Sequence, residues 1–187
     1  MAVLPILTVE KPADEALLRQ KSKRVSRLDG GLQRLIDDLI DTVHANDGLG
    51  LAAPQVGRLL RICVVELPTD YDDPLAGQTL VLCNPEIVRL SEETWEPSEG
   101  CLSVPRYWAH ILRAMRCTVK ARDRQWKEFR VKGEGLLAQV LQHEIDHLNG
   151  VLFYDHLPSL DLLRPVEEKP PRQTRAASVA AVPGALG

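Results

Sequence analysis

Apolar residues Leu32, Leu35, Ile36, Leu39, Ile40 and Val43 recur at i, i+3, i+4, i+7, i+8 and i+11, one broad stripe on a helical surface. The stripe predicts a helix that opens after Asp29-Gly30-Gly31 and ends at Asn46-Asp47-Gly48. Next comes Gly48-Leu49-Gly50-Leu51-Ala52-Ala53-Pro54-Gln55-Val56-Gly57, which carries too much glycine for a helix. The apolar run at 62–65 suits a buried strand, so the glycine segment reads as a loop feeding it. Short strands are predicted at 79–82, 87–90, 92–95, 117–121 and 126–131, the last two joined by the turn-like Arg122-Asp123-Arg124-Gln125. Antiparallel pairing follows from that spacing. A second long helix is predicted to begin within 133–135 and run to Leu148, with Asn149-Gly150 as its left-handed cap.

Strands followed by a helix, without a repeat or a second block of composition, define one α+β domain. Its antiparallel strands should pack around the second helix, with the first helix N-terminal to them. The domain is expected to span 1–165. Beyond it, Pro165, Pro170, Pro171 and Pro183 punctuate a Glu, Lys, Arg, Ala and Ser-rich stretch, so 166–187 reads as a disordered tail. With 44% hydrophobic and 26% charged residues, the chain can build an ordinary core. No run approaches the ~20 apolar residues of a membrane helix. The opening residues lack a basic region and are broken by Pro5, so the cytoplasm is expected. A net charge of −3, without a dense basic run, argues against direct DNA binding. Cys63, Cys83, Cys101 and Cys117 are widely spaced and read as reduced thiols.

The second helix carries chemistry. His143-Glu144-Ile145-Asp146-His147 sets two imidazoles one turn apart, able to grip one metal ion, with a carboxylate between them in reach of a water held there. Leu137, Leu141, Ile145 and Leu148 form the face that anchors the helix in a core. Leu136, Gln139, Val140, His143 and His147 share the opposite side. Hydrolytic centres of this type use three protein ligands and keep one position open. The position six residues after His147 is Phe153, and both methionines precede the helix, which excludes the metzincin pattern. Glu167 lies among prolines in the expected tail, and His156 lacks supporting context. Cys101, in Glu99-Gly100-Cys101-Leu102-Ser103-Val104-Pro105, offers a soft thiolate, although a free cysteine is more often a small buried hydrophobe. That plainer reading suits Cys63, Cys83 and Cys117. Spacing alone leaves the third ligand open.

Taken together, Gly48-Leu49-Gly50-Leu51-Ala52-Ala53-Pro54-Gln55, Glu99-Gly100-Cys101-Leu102-Ser103 and Gln142-His143-Glu144-Ile145-Asp146-His147 resemble the three signature motifs of peptide deformylase, in the same order. The resemblance covers the chain to about Leu163. It implies that Cys101, His143 and His147 are metal ligands and that Glu144 is the general base and acid. It also implies that the Gln55 side-chain amide and the Leu102 backbone N–H steady an oxyanion. The metal implied is Fe(II), with Zn(II), Ni(II) or Co(II) able to replace it. The activity implied is removal of the formyl group from the N-terminal formyl-methionine of newly synthesised polypeptides, with release of formate.

The same residues suggest where substrate would lie. Glycine permits close backbone approach, so an extended peptide can add along Leu49-Gly50, while Leu136, Val140 and Leu49 are suited to a methionine side chain. Tyr107 or Trp108 either closes the rim of that pocket or packs as ordinary core, and His110 has no assigned role. Gly48 and Gly50 lack the third glycine of a dinucleotide fingerprint. Some deformylases dock on the ribosome by a C-terminal helix; 166–187 shows no amphipathic pattern, so a transient ribosome contact is left open. Two other readings compete. One is a metallopeptidase using the same helix; the other is a closed structural zinc with His110 or His156 as fourth ligand.

Overall fold

A computed structural model describes residues 2–168 of the 187-residue chain. In chain order the elements are α1 (Pro12–Leu18), α2 (Gly30–Ala45), β1 (Gly50–Ala52), β2 (Ile62–Glu66), β3 (Thr79–Leu90), β4 (Thr94–Trp95) and β5 (Ser98–Cys101). They continue as β6 (Val104–His110), β7 (Arg113–Ala114), β8 (Arg116–Arg122), β9 (Glu128–Glu134), α3 (Leu136–Leu148) and β10 (Arg164–Pro165). The α+β class is as expected. Both long helices form where the apolar period places them, and Asp29 caps α2 by accepting from the Leu32 N–H at 2.9 Å.

Five strands form one antiparallel sheet in the order β1-β2-β3-β8-β9, and a second sheet has the order β10-β6-β5. The wholly apolar β2 explains the layering. Successive strand residues point to opposite faces. Ile62 and Val64 pack with Leu35, Ile36, Leu39 and Val43 of α2. Cys63 and Val65 pack with Leu137, Leu141, Ile145 and Leu148 of α3. The sheet is thus covered by a helix on each side. A smaller cluster of Val104, Ala109, Ile111 and Phe153 supports the three-stranded sheet.

Several expectations change. Gly50–Ala52 is not loop but an edge strand, and a 3₁₀ turn, Ala53–Val56, follows it. The predicted strands at 79–82 and 87–90 merge into β3, whose pairing with β8 shifts register between Cys83 and Glu86. Asn84 sits at that irregularity with φ +52, and its side chain bonds both the N–H and the carbonyl of Val25. The strand expected at 92–95 shrinks to β4, and that expected at 126–131 starts only at Glu128, because Trp126 occupies the turn with φ +66. Helix α1 and strands β5, β6 and β10 had not been anticipated. Order also runs past the expected tail boundary: Val166–Glu168 is a 3₁₀ turn following β10. The rest of the expected tail, 169–187, lies outside the described residues.

Candidate active site

Three elements converge on one point. Helix α3 presents His143 and His147 from inside the fold, where they are 8% and 1% exposed, which rules out a solvated polar turn. Strand β5 brings Cys101, at a register shift in its ladder with β6 between Gly100 and Cys101. The 3₁₀ turn after β1 brings Gln55. Cys101 Sγ lies 3.1 Å from His147 Nε2, and the two Nε2 atoms lie 3.2 Å apart. One ligand atom from each of Cys101, His143 and His147 falls within 4.8 Å of the others, and among the described residues this is the one such His/Cys/Asp/Glu cluster.

The donors are held by a shell that sequence reading missed. His143 Nδ1 donates to Glu99 Oε1 at 2.6 Å, so its Nε2 is free to face the cluster. Arg113, 4% exposed, grips both Glu99 oxygens at 2.6 and 3.0 Å and reaches Asp146 at 2.7 Å. His156, considered as a ligand, instead bonds Asp146 at 2.8 Å. His110 Nδ1 meets the Glu96 carbonyl at 3.1 Å. Neither imidazole supplies a fourth ligand. A histidine ligand needs an acceptor on its second nitrogen, and that rule was the signal that could have singled out Glu99, two residues before Cys101.

Gln55 is oriented from behind: its Oε1 accepts from the Ala52 N–H at 2.8 Å, which aims Nε2 at Ser103 Oγ, 3.2 Å away, and at Cys101 Sγ, 3.5 Å away. The Ser103 N–H also points at Cys101 Sγ, at 3.3 Å. Burial opposes the Cys101 thiolate, yet the His147 and His143 rings outweigh it and bring the thiol down to about 5. Burial pushes Glu144 up to about 7, against the pull of the two histidines. Its Oε2 and His147 Nδ1 are buried without a hydrogen-bond partner among the described residues. Gly50 makes room for this carboxylate: a Cβ there would sit 2.5 Å from Glu144 Oε1. Two imidazoles and an activated thiol, beside an unsatisfied carboxylate oxygen, fit a borderline-soft divalent ion with an open position.

A cavity of about 1030 Å³ opens onto this cluster. Its walls include Leu49, Gly50, Gln55, Cys101, Leu102, Leu136, Val140, His143 and Glu144, so the residues expected to bind substrate are brought together with the chemistry. Tyr107 also lines it. Trp108 is buried beneath the last strand, and its Nε1 donates to the Pro165 carbonyl at 2.9 Å. Gln139, on the same helix face as His143, lines the cavity as well, and Glu99 and Val166 are lining residues that had not been foreseen.

A buried histidine pair on a helix, a thiol from the adjoining sheet and a carboxylate beside them make the donor set of a mononuclear metallohydrolase. The chain belongs to the polypeptide deformylase family, whose model matches residues 3–162. It is 48% identical over 181 residues to the peptide deformylase of Thermomicrobium roseum, covering 95% of this chain and 99% of that one. A peptide deformylase of Dehalococcoides mccartyi is 44% identical over 163 residues, covering 86% and 93%. Among solved structures, the peptide deformylase of Ehrlichia chaffeensis in complex with actinonin superposes with a TM-score of 0.79 at 42% identity, covering 86% and 92%. That of Legionella pneumophila gives 0.76 at 45% identity, covering 85% and 88%.

Proposed function

We propose that Cys101, His143 and His147 hold the divalent metal on which this deformylase depends, and that Glu144 moves the proton during hydrolysis. The activity is that of the family: the formyl group is removed from the N-terminal formyl-methionine of newly synthesised polypeptides, and water, formate and a free amine balance the reaction. A divalent ion held by Cys101, His143 and His147 would supply Lewis acidity and lower the pKa of a nearby water. Glu144 accepts the proton of that water and later gives it to the departing nitrogen. A positioned carboxylate can serve both halves of that task. The Gln55 amide, fixed through its oxygen by the Ala52 N–H, donates to the formyl oxygen as it becomes anionic, and the Leu102 N–H adds a second donor. Edge strand β1 accepts the substrate backbone along Leu49-Gly50, while Leu136 and Val140 receive the methionine side chain.

The observation that carries this reading is the orphaned, buried Oε2 of Glu144 beside three converging ligand atoms. A closed structural zinc gains no support, since no fourth donor joins the cluster among the described residues. The thiolate and imidazole set is compatible with Fe(II), which we assign as the resident ion, with Zn(II), Ni(II) or Co(II) as replacements. We place the enzyme in the cytoplasm, acting on nascent chains with at most a transient ribosome contact. Among the described residues no helix is long and apolar enough to cross a membrane. The test is metal content after oxygen-free purification, paired with formate release from a formyl-Met peptide and an internal-peptide control. One equivalent of iron with formate release supports the assignment. Cleavage of the blocked internal peptide, without formate, would return the peptidase reading.

A further inference from the structure

Ser103 is wholly buried, and burying a hydroxyl costs free energy that an alanine in its place would not. Among the described residues, the one hydrogen bond that offsets this cost is to Gln55, whose Nε2 donates to Ser103 Oγ at 3.2 Å. The serine is itself pinned through its backbone. Its N–H points at Cys101 Sγ at 3.3 Å, and its carbonyl accepts from the Val9 N–H at 3.0 Å. Two residues earlier in the same N-terminal segment, the Leu7 N–H donates to the Gln55 carbonyl at 2.8 Å. Residues 7–9 thus tie the turn that carries Gln55 to the residue that meets its side chain.

A side-chain amide bonded at one end can still pivot. The Ala52 N–H on Gln55 Oε1 settles which end of the amide is nitrogen, yet it leaves Nε2 able to swing about that bond. A second contact, at Nε2, removes the swing. The nitrogen carries two N–H groups. With one on Ser103, the other is turned toward the donor cluster, where Cys101 Sγ stands 3.5 Å from Nε2, and Gln55 lines the cavity there. The loosely engaged N–H is therefore the one left for an oxyanion.

Resting on the oxyanion role proposed above for Gln55, we propose that Ser103 is a positioning residue: its hydroxyl takes one N–H of the Gln55 amide so that the other is aimed at the reacting carbonyl oxygen. A preorganised donor acts where charge develops in the transition state, so loss of its aim lowers kcat and kcat/KM together and leaves KM in place.

The experiment compares the full chain with Ser103→Ala, Gln55→Ala and the double variant on a formyl-Met peptide, with metal content measured for each. Ser103→Ala keeps the backbone N–H that faces Cys101 Sγ, so metal content should not change. Its kcat should fall roughly three- to tenfold at constant KM, which is what one net hydrogen bond is worth. Gln55→Ala should lose ~10²–10³ in kcat. Adding Ser103→Ala to it should cost nothing further, since the amide that the hydroxyl aims is gone. In an amide NMR spectrum, which needs no turnover, the Gln55 side-chain N–H resonances should move in Ser103→Ala. The proposal would be overturned by an unchanged kcat or unmoved resonances in Ser103→Ala, by the same loss repeated in the Gln55→Ala background, or by metal content that falls in step with kcat. A full chain that releases no formate would overturn the deformylase reading itself, and the proposal with it.

Discussion

Glu99 and Glu144 are both buried carboxylates that feel the His143 imidazole, and their surroundings drive them apart. Around Glu99, burial is outweighed by His143 and the bidentate Arg113, which hold it down to about 2. Around Glu144, burial prevails over the two histidines. Environments that separate two titrating groups in this way suit them to different roles: Glu99 to staying an anion that orients His143 and, on the function proposed above, Glu144 to exchanging a proton. Glu144→Gln keeps the side-chain volume but cannot relay a proton, so formate release should fall ~10²–10⁴-fold with metal content unchanged. Elemental analysis alongside the formate assay checks this, and near-normal turnover would remove Glu144 as the base. For Glu99 the folded state holds the carboxylate below its unfolded value of 4.5. Its contribution is therefore complete above pH ~4.5 and lost as pH falls toward ~2, on the order of 3 kcal/mol in total. Glu99→Gln should flatten the dependence of unfolding free energy on pH between 4.5 and 2, measured by urea denaturation across that window. Parallel pH profiles for the two proteins would count against Glu99 as a paired anion. Of this site, the histidine spacing was legible in sequence because both ligands sit on one helix. The Glu99 to His143 bond was not, since it joins positions 44 apart that only the fold brings together.

At the level of elements, legibility followed periodicity. Helices α2 and α3 each bury one face and so carry a 3.6-residue pattern. Strand β6 is buried at Val104, then at Trp108 and Ala109, without the alternation of a half-buried strand, and β5 has a single buried residue, Glu99. A pattern of period two was absent from the strands that bring Cys101 to the histidines. Strand β1 is only three residues long and begins with glycine, so its edge position beside the cavity had to come from pairing with β2. The stop of α3 was legible, because Gly150 is the left-handed residue that a helix end favours, at φ +75. The structure gives that glycine a second duty. An added Cβ would lie 2.6 Å from the backbone carbonyl carbon of Arg19, so α1 closes directly against the end of α3. Gly150→Ala combines left-handed strain of ~1–2 kcal/mol with a backbone clash, for a total of about 3 kcal/mol. In a chain of this size that lowers Tm by roughly 6–12 °C. Differential scanning calorimetry checks it, and a shift under about 2 °C would show that the two helix ends separate without cost.

Across the whole molecule, the donor cluster is where separate packing units meet. His143 and His147 belong to α3, whose apolar face is built into the five-stranded sheet. Cys101 belongs to the three-stranded sheet and its own smaller cluster with Val104, Ile111 and Phe153. An ion held by all three, as proposed above, would join the two sheets, and the unfolded chain has no such preformed site. Binding to the native state alone stabilises it by mass action, ~4 kcal/mol when free metal stands at a thousand times its dissociation constant. At 2–4 °C per kcal/mol, chelation should therefore lower Tm by roughly 8–16 °C. Cys101→Ser removes the ligand that belongs to the smaller sheet, so its Tm should respond to chelation far less. Cys63→Ser, altered at a buried thiol packed with Val65 and Leu82, should start from a lower Tm and keep the full response. Thermal melts with and without chelator, with metal loss verified by elemental analysis, separate these outcomes. A Tm unmoved by complete removal of the ion would show that packing alone joins the two sheets, leaving the ion a chemical role only.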